Sequence, residues 1–213
     1  MKLKLNNIID LFLLQKDFYS KLNDKSMWLY IGIAFVGIRD VIFNMIGINA
    51  DNTDYFKDIQ FTIKTFGILI LTVAVIGFID VICFSYPIFD IIKHFKKKNE
   101  NNSMALGMVY SSILTKVIKV YIIANVLLTP LDIVYYFTSK FALVYPNIML
   151  LTYISLVLGV LGYFWFNGAI TRGICIIFKL RNSVGLVFVL VFCWNALISW
   201  AIGYLLNLVL VRL

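Results

Sequence analysis

GIRDVIF, residues 37–43, places Arg39 and Asp40 side by side inside an apolar run that extends over 27–48. Three further charges, Asp80, Lys116 and Lys119, fall inside similar runs. A charge near the middle of a bilayer costs several kcal/mol, so such residues are paired, hydrogen-bonded or functional. The five therefore form a candidate intramembrane charge network. With about 1.5 Å of rise per residue and run centres near 38, 74 and 118, Arg39, Asp40, Lys116 and Lys119 lie within ~3 Å of the midplane and Asp80 ~9 Å from it. Lys116 and Lys119 are three apart and share a helix face. These levels pair Asp80 with Lys116 and Asp40 with Lys119. Arg39 points about 100° away from Asp40 and is left over. Its functional readings are an anion site, a lipid-phosphate site or a contact with another subunit. Its structural reading is a hydrogen-bonded network that fixes helix register.

Other chemistry is sparse. His94 is the only histidine, Glu100 the only glutamate, and Cys83, Cys175 and Cys193 form no CxxC pair. A metal site built on several histidines is excluded, and no glycine-rich phosphate loop occurs. Cys83 and His94 are eleven residues apart, too weak a signal for a cysteine protease. The chain is expected to be no enzyme and to use no cofactor or metal.

The elements that must hold the charges are long and apolar. Of 213 residues, 62% are hydrophobic and 14% charged, with a mean hydropathy of +0.91. Soluble domains are roughly 45–50% apolar and about 25% charged. Windows of about 20 apolar residues recur at 27–48, 61–87, 106–129, 146–170 and 184–211. These predict an all-α membrane protein: a bundle of five transmembrane helices with an N-terminal interfacial amphipathic helix. The two domains are a cytoplasmic amphipathic segment, 1–26, and a transmembrane domain, 27–213. No cleavable signal peptide is expected, because Asp10 interrupts the early apolar run and no small-residue cleavage site follows.

Loop charges predict orientation. The N-terminal segment carries Lys2, Lys4, Lys16, Lys21 and Lys25, the second loop Lys93 and Lys96 to Lys98, and the fourth Arg172, Lys179 and Arg181. The first loop has Lys57 among Asp51, Asp54 and Asp58, the third Lys140, and the tail Arg212. The N-terminus is therefore expected in the cytoplasm and the C-terminus outside the cell membrane. Lys96, Lys97 and Lys98 are candidates for contact with anionic head groups. No basic face on a soluble fold suits nucleic acid. In residues 5–22 apolar residues recur at helical spacing, which fits a helix in the interface or one packed on the ends of the bundle. Asn195, Ser199, Gly203 and Asn207 in the last span, and Thr152, Ser155, Gly159 and Gly162 in the fourth, form small and weakly polar stripes. Such stripes let membrane helices pack closely, or form a seam for a partner.

Several stretches resemble bacterial members of the YIP family of membrane proteins: LFLLQKDFYSKL at 11–22, IGIAFVGIRDVI at 31–42, NSMALGMVYSSIL at 102–114 and WFNGAITRGICIIFKLRNSVGLVFVLV at 165–191. Gln15 stands where that family usually has proline. The Asp-Leu-Tyr-Gly-Pro signature of the eukaryotic branch is absent, with LDIVYY at 131–136 as the nearest text, so binding to Rab GTPases is not carried over. The resemblance implies a five-span bundle and a non-enzymatic role as a membrane-organising or transporter-associated scaffold, with the bilayer and a transporter complex as partners. Asn, Lys and Ile are abundant, which fits an AT-rich bacterial genome. The alternative is a small solute transporter, or a substrate-binding membrane subunit, with an anion site at Arg39, Lys116 and Lys119.

Overall fold

In a computed structural model the protein is helical throughout its described residues, 16–22, 27–51, 63–99, 106–145, 147–180 and 183–210. The helices are α1 (Lys16–Ser20), α2 (Met27–Asp51), α3 (Ile63–Asn99), α4 (Leu106–Val144), α5 (Met149–Phe178) and α6 (Val184–Leu210). The last five are long and apolar enough to cross a membrane, the make-up of a multi-span membrane protein. Many large apolar side chains point outward, among them Leu71, Phe78, Leu161 and Trp200. In water that exposure would be prohibitive; against lipid it costs nothing.

The spans run longer than the sequence windows. Pro87 and Pro130, which bounded the second and third windows, both lie inside helices. Each removes one backbone donor, a loss that membrane helices tolerate because neighbours re-satisfy the freed groups. The third span accordingly extends over Ser112–Val144. The helix as a whole runs from Leu106 to Val144, with its midpoint near residue 125. By helical rise, Lys116 and Lys119 sit ~14 Å and ~9 Å to one side of that midpoint, and Asp132 sits ~11 Å to the other, inside the helix rather than in a loop. The second span, Thr65–Lys93, centres within ~2 Å of Asp80.

Glycines set the tightest helix crossing. A Cβ on Gly37 would lie 3.0 Å from the backbone nitrogen of Gly77 and would overlap the carbonyl of Val73. A Cβ on Gly77 would lie 2.8 Å from the Gly37 nitrogen. Only glycine at both positions lets α2 and α3 meet backbone to backbone. On α5, Gly159 receives the ring of Tyr135 and Gly162 receives Leu131. That half of the small-residue stripe on the fourth span is a packing face against α4, the helix with which α5 pairs most extensively.

Two apolar clusters hold the bundle. The larger joins Val36, Val81, Phe84, Val117, Tyr121, Phe166, Ile170 and Val191. The smaller joins Val41, Ile76, Ile198, Ile202 and Leu206. Along α2, α3 and α6 the chain passes from one cluster to the other at Arg39–Asp40, at Asp80 and at Asn195 respectively. The polar residues thus occupy a seam between the two clusters.

Of the N-terminal segment, residues 16–22 are described and 1–15 lie outside the described residues. Tyr19 is 2% exposed, belongs to the larger cluster, and donates its hydroxyl to the carbonyl of Ala169 at 3.3 Å. Gly173 makes room for its ring, since a Cβ there would lie 2.9 Å from Tyr19. Burial raises the Tyr19 hydroxyl to about 12, with Arg172 pulling the other way. Of the two sequence readings for this segment, residues 16–22 follow the second: they pack on the end of the bundle. The same end carries the close of α5, where Lys179 adopts φ 57° and lets the amide of Leu180 reach the carbonyl of Cys175 at 2.9 Å. This is a left-handed helix stop.

Candidate functional site

At the seam lies a cavity of about 210 Å³ between α2, α3, α4, α5 and α6. Its polar wall comprises Arg39, Asp40, Asp80, Tyr121, Asn125 and Asn195. Phe43, Leu128, Phe166 and Ile202 supply the apolar wall. A single water needs only about 10–15 Å³ measured this way, so the space admits a small solute.

Arg39 is the most tied-down group. Its Nε and Nη2 donate to Asp132 Oδ2 at 3.0 and 2.6 Å, and its Nη1 donates to Asn125 Oδ1 at 2.7 Å. Nη1 also reaches Asp40 Oδ1 at 3.5 Å, and the guanidinium lies 5.9 Å from the ring centre of Phe43. The side chains of Arg39 and Asp132 are only 17% and 21% exposed. Sequence reasoning left Arg39 without a partner; the structure corrects this, and the partner is Asp132. The extension of α4 past Pro130 is what brings that carboxylate into the bundle.

Asp80, 4% exposed, accepts a hydrogen bond from the Tyr121 hydroxyl at 2.8 Å. The Tyr121 ring is fixed by stacking on Phe84 at 4.1 Å and by an edge contact with Phe166 at 5.9 Å. Asn125 is fully buried and spends its amide on the carbonyl of Tyr121 at 3.0 Å. Tyr121, Asn125, Leu128 and Asp132 follow one another at i, i+4, i+7 and i+11, a single helix face. That stripe was present in the sequence and was cut off by ending the span at Thr129.

The carboxyl-bearing side chains of Asp40 and Asp80 line the same cavity. Asp40 Oδ2 is buried and takes no hydrogen bond from any described donor. Two carboxylates sharing one buried cavity repel each other, and a proton or a cation relieves that repulsion.

The two expected lysine pairs are replaced. Asp80 bonds to Tyr121 rather than facing Lys116, and Asp40 lies beside Arg39 rather than Lys119. Neither lysine lines the cavity. Lys119 instead lines a separate recess beside α1. The physical reason is the continuation of α4 past Pro130 to Val144, which moves the middle of the helix beyond both lysines. The stripe on the last span is divided: Asn195 and Ser199 line the cavity, and a Cβ added at Gly203 would lie 3.8 Å from Asn44 Oδ1. The side chains of Lys96, Lys97 and Lys98, expected at lipid head groups, lie outside the described residues. No group of three or more His, Cys, Asp or Glu residues suited to a metal ion occurs among the described residues.

No protein-family model, no curated protein and no solved structure matches the chain.

Proposed function

We propose that this membrane protein is a small carrier that binds a cationic solute at the Asp40–Asp80 seam and moves it across the bilayer. The observation that supports this most is the balance of charge. Three carboxylates, Asp40, Asp80 and Asp132, meet one guanidinium, Arg39. Asp132 neutralises Arg39 directly. Arg39 also reaches Asp40 at 3.5 Å, so one positive charge is shared by three carboxylates, and the Asp40–Asp80 side of the cavity is left net negative where uncompensated charge costs most. A cation entering the cavity discharges it. Arg39 serves as the fixed post that joins α2 to α4. This reverses the sign of the anion site expected from Arg39, Lys116 and Lys119.

The loop charges support an orientation with the N-terminus and the Lys179 end in the cytoplasm. The scaffold role implied by the YIP resemblance is the second reading, supported by the close helix packing at Gly37 and Gly77. Purified protein in proteoliposomes separates the two. Uptake of labelled methylammonium, guanidinium, choline or sodium above that of empty vesicles, abolished in Asp80→Asn, supports the carrier. Absence of uptake for every cation, with Asp80→Asn as stable as the parent, favours the scaffold.

A further inference from the structure

Pro87 lies inside α3, about one turn beyond Cys83 and two beyond Asp80. A proline has no amide hydrogen, so the carbonyl four residues back, that of Cys83, loses its helical donor, and the proline ring crowds the same oxygen. Cys83 is exposed, and the exposed face of a spanning helix meets hydrocarbon, which offers no donor. The indole Nε1 of Trp194 on α6 donates to that carbonyl at 3.0 Å. Trp194 also packs against both apolar clusters, and the next residue, Asn195, lines the cavity. The bond therefore joins α3 and α6 at the level of the cavity. It leaves α3 three residues from Asp80, ~4.5 Å by helical rise, and reaches α6 beside Asn195.

We infer that Trp194 is a positioning residue: its indole N–H stands in for the amide that Pro87 lacks, and so fixes where the Asp80 turn of α3 stands against α6. Any part-buried tryptophan tends to find an acceptor for its N–H. What singles out this one is the acceptor, the carbonyl that the proline inside α3 deprives of its donor. A phenylalanine would fill much of the same space and leave that carbonyl bare. Without the indole, α3 would keep its interrupted ladder and lose the bond that holds the interruption against a neighbour. Asp80 is thus held from two helices. Tyr121 of α4 bonds its carboxylate at 2.8 Å, and Trp194 of α6 holds the backbone about one turn on. The inference does not rest on the carrier reading.

The test is a pair of double-mutant cycles on the full chain, read by reversible unfolding in detergent. W194F keeps an aromatic ring and removes the donor, and should raise the unfolding equilibrium constant roughly tenfold or more. P87A gives position 87 an amide, so the Cys83 carbonyl regains a helical donor. In that background W194F should have an at least about threefold smaller effect, the loss of ring area being common to both backgrounds and cancelling in the comparison. Y121F should likewise have a smaller effect in W194F than in the parent, because an Asp80 turn that is no longer held meets the Tyr121 hydroxyl less well. A tryptophan that only filled space would leave the effect of Y121F unchanged. Should P87A/W194F fail to fold, the ultraviolet resonance Raman difference between parent and W194F reads the state of this indole directly, and a hydrogen-bonded N–H is expected. Equal effects of W194F in the parent and in P87A, an unchanged effect of Y121F in W194F, or the signature of a free indole N–H would overturn the inference.

Discussion

Asp132→Asn is the most informative single change, because it removes the charge that holds Arg39. The guanidinium donates two hydrogen bonds to Asp132 Oδ2, at 2.6 and 3.0 Å, and one to Asn125 Oδ1. Breaking a buried pair by removing one partner costs about 3–5 kcal/mol. Both side chains keep some exposure, 17% and 21%, and an amide oxygen at 132 would still accept one bond. The expected loss is therefore at the lower end, about 2–3 kcal/mol. Arg39→Gln should cost a similar amount, since it leaves Asp132 unpaired and Asn125 Oδ1 without its donor. The double variant should be less destabilised than the sum of the singles by about 2 kcal/mol. That coupling exceeds the ~0.6 kcal/mol average for polar contacts between membrane helices, as a charge-assisted pair should. Reversible unfolding with a denaturing detergent, followed by circular dichroism, reads all three values. Additive effects within about 0.5 kcal/mol would refute the pair and the account of α4 past Pro130. The same cycle on Asp80 and Lys116 should be additive.

Other changes probe the remaining contacts. Tyr121→Phe keeps the ring stack and deprives Asp80 of its donor, for an expected loss of about 1–3 kcal/mol in the same unfolding assay. Gly37→Ala drives a methyl group into the Val73 carbonyl and should cost about 1–3 kcal/mol, whereas Gly67→Ala, with open space around it, should be neutral or slightly stabilising. Tyr19 links stability to alkaline pH. Its folded value, about 12, lies above the unfolded value near 10, so the neutral phenol favours the fold. That contribution is complete below pH ~10 and fades as pH rises toward 12. Tyr19→Phe should remove this alkaline loss while costing about 1 kcal/mol at neutral pH from the missing bond to Ala169; an unchanged alkaline profile would contradict it.

The five spans were legible because only helices and closed barrels satisfy the backbone in lipid, and runs this long and uniformly apolar do not suit barrel strands. Arg39, Asp40 and Asp80 were legible as a group because charges at that depth are rare. Their partners were not. Ending the third window at 129 left Asp132 outside the spans and put Lys116 and Lys119 at the midplane, whereas Pro130 lies inside a helix that continues to Val144. The apolar text after Pro130, LDIVYYFTSKFALV, was the available correction, together with the spacing of Tyr121, Asn125 and Asp132. The contact of Tyr121 with Asp80 depends on how α3 and α4 are rotated about their axes, and local sequence does not encode that. Asn195 was seen as part of a packing stripe. Whether such a stripe touches a neighbour or a cavity depends on the far wall, here Asp40 and Asp80 on two other helices.

Cation binding by purified wild-type protein and by Asp80→Asn, measured calorimetrically in detergent at several pH values, tests the central claim most directly. Wild-type protein should bind at least one small cation of the methylammonium, guanidinium, choline and sodium set with one site per chain. Binding should weaken as pH falls, because protons compete for the same two carboxyl groups, and should be lost in Asp80→Asn with the fold retained. Binding of phosphate or another anion at this site, or cation binding that survives Asp80→Asn unchanged, would contradict the account.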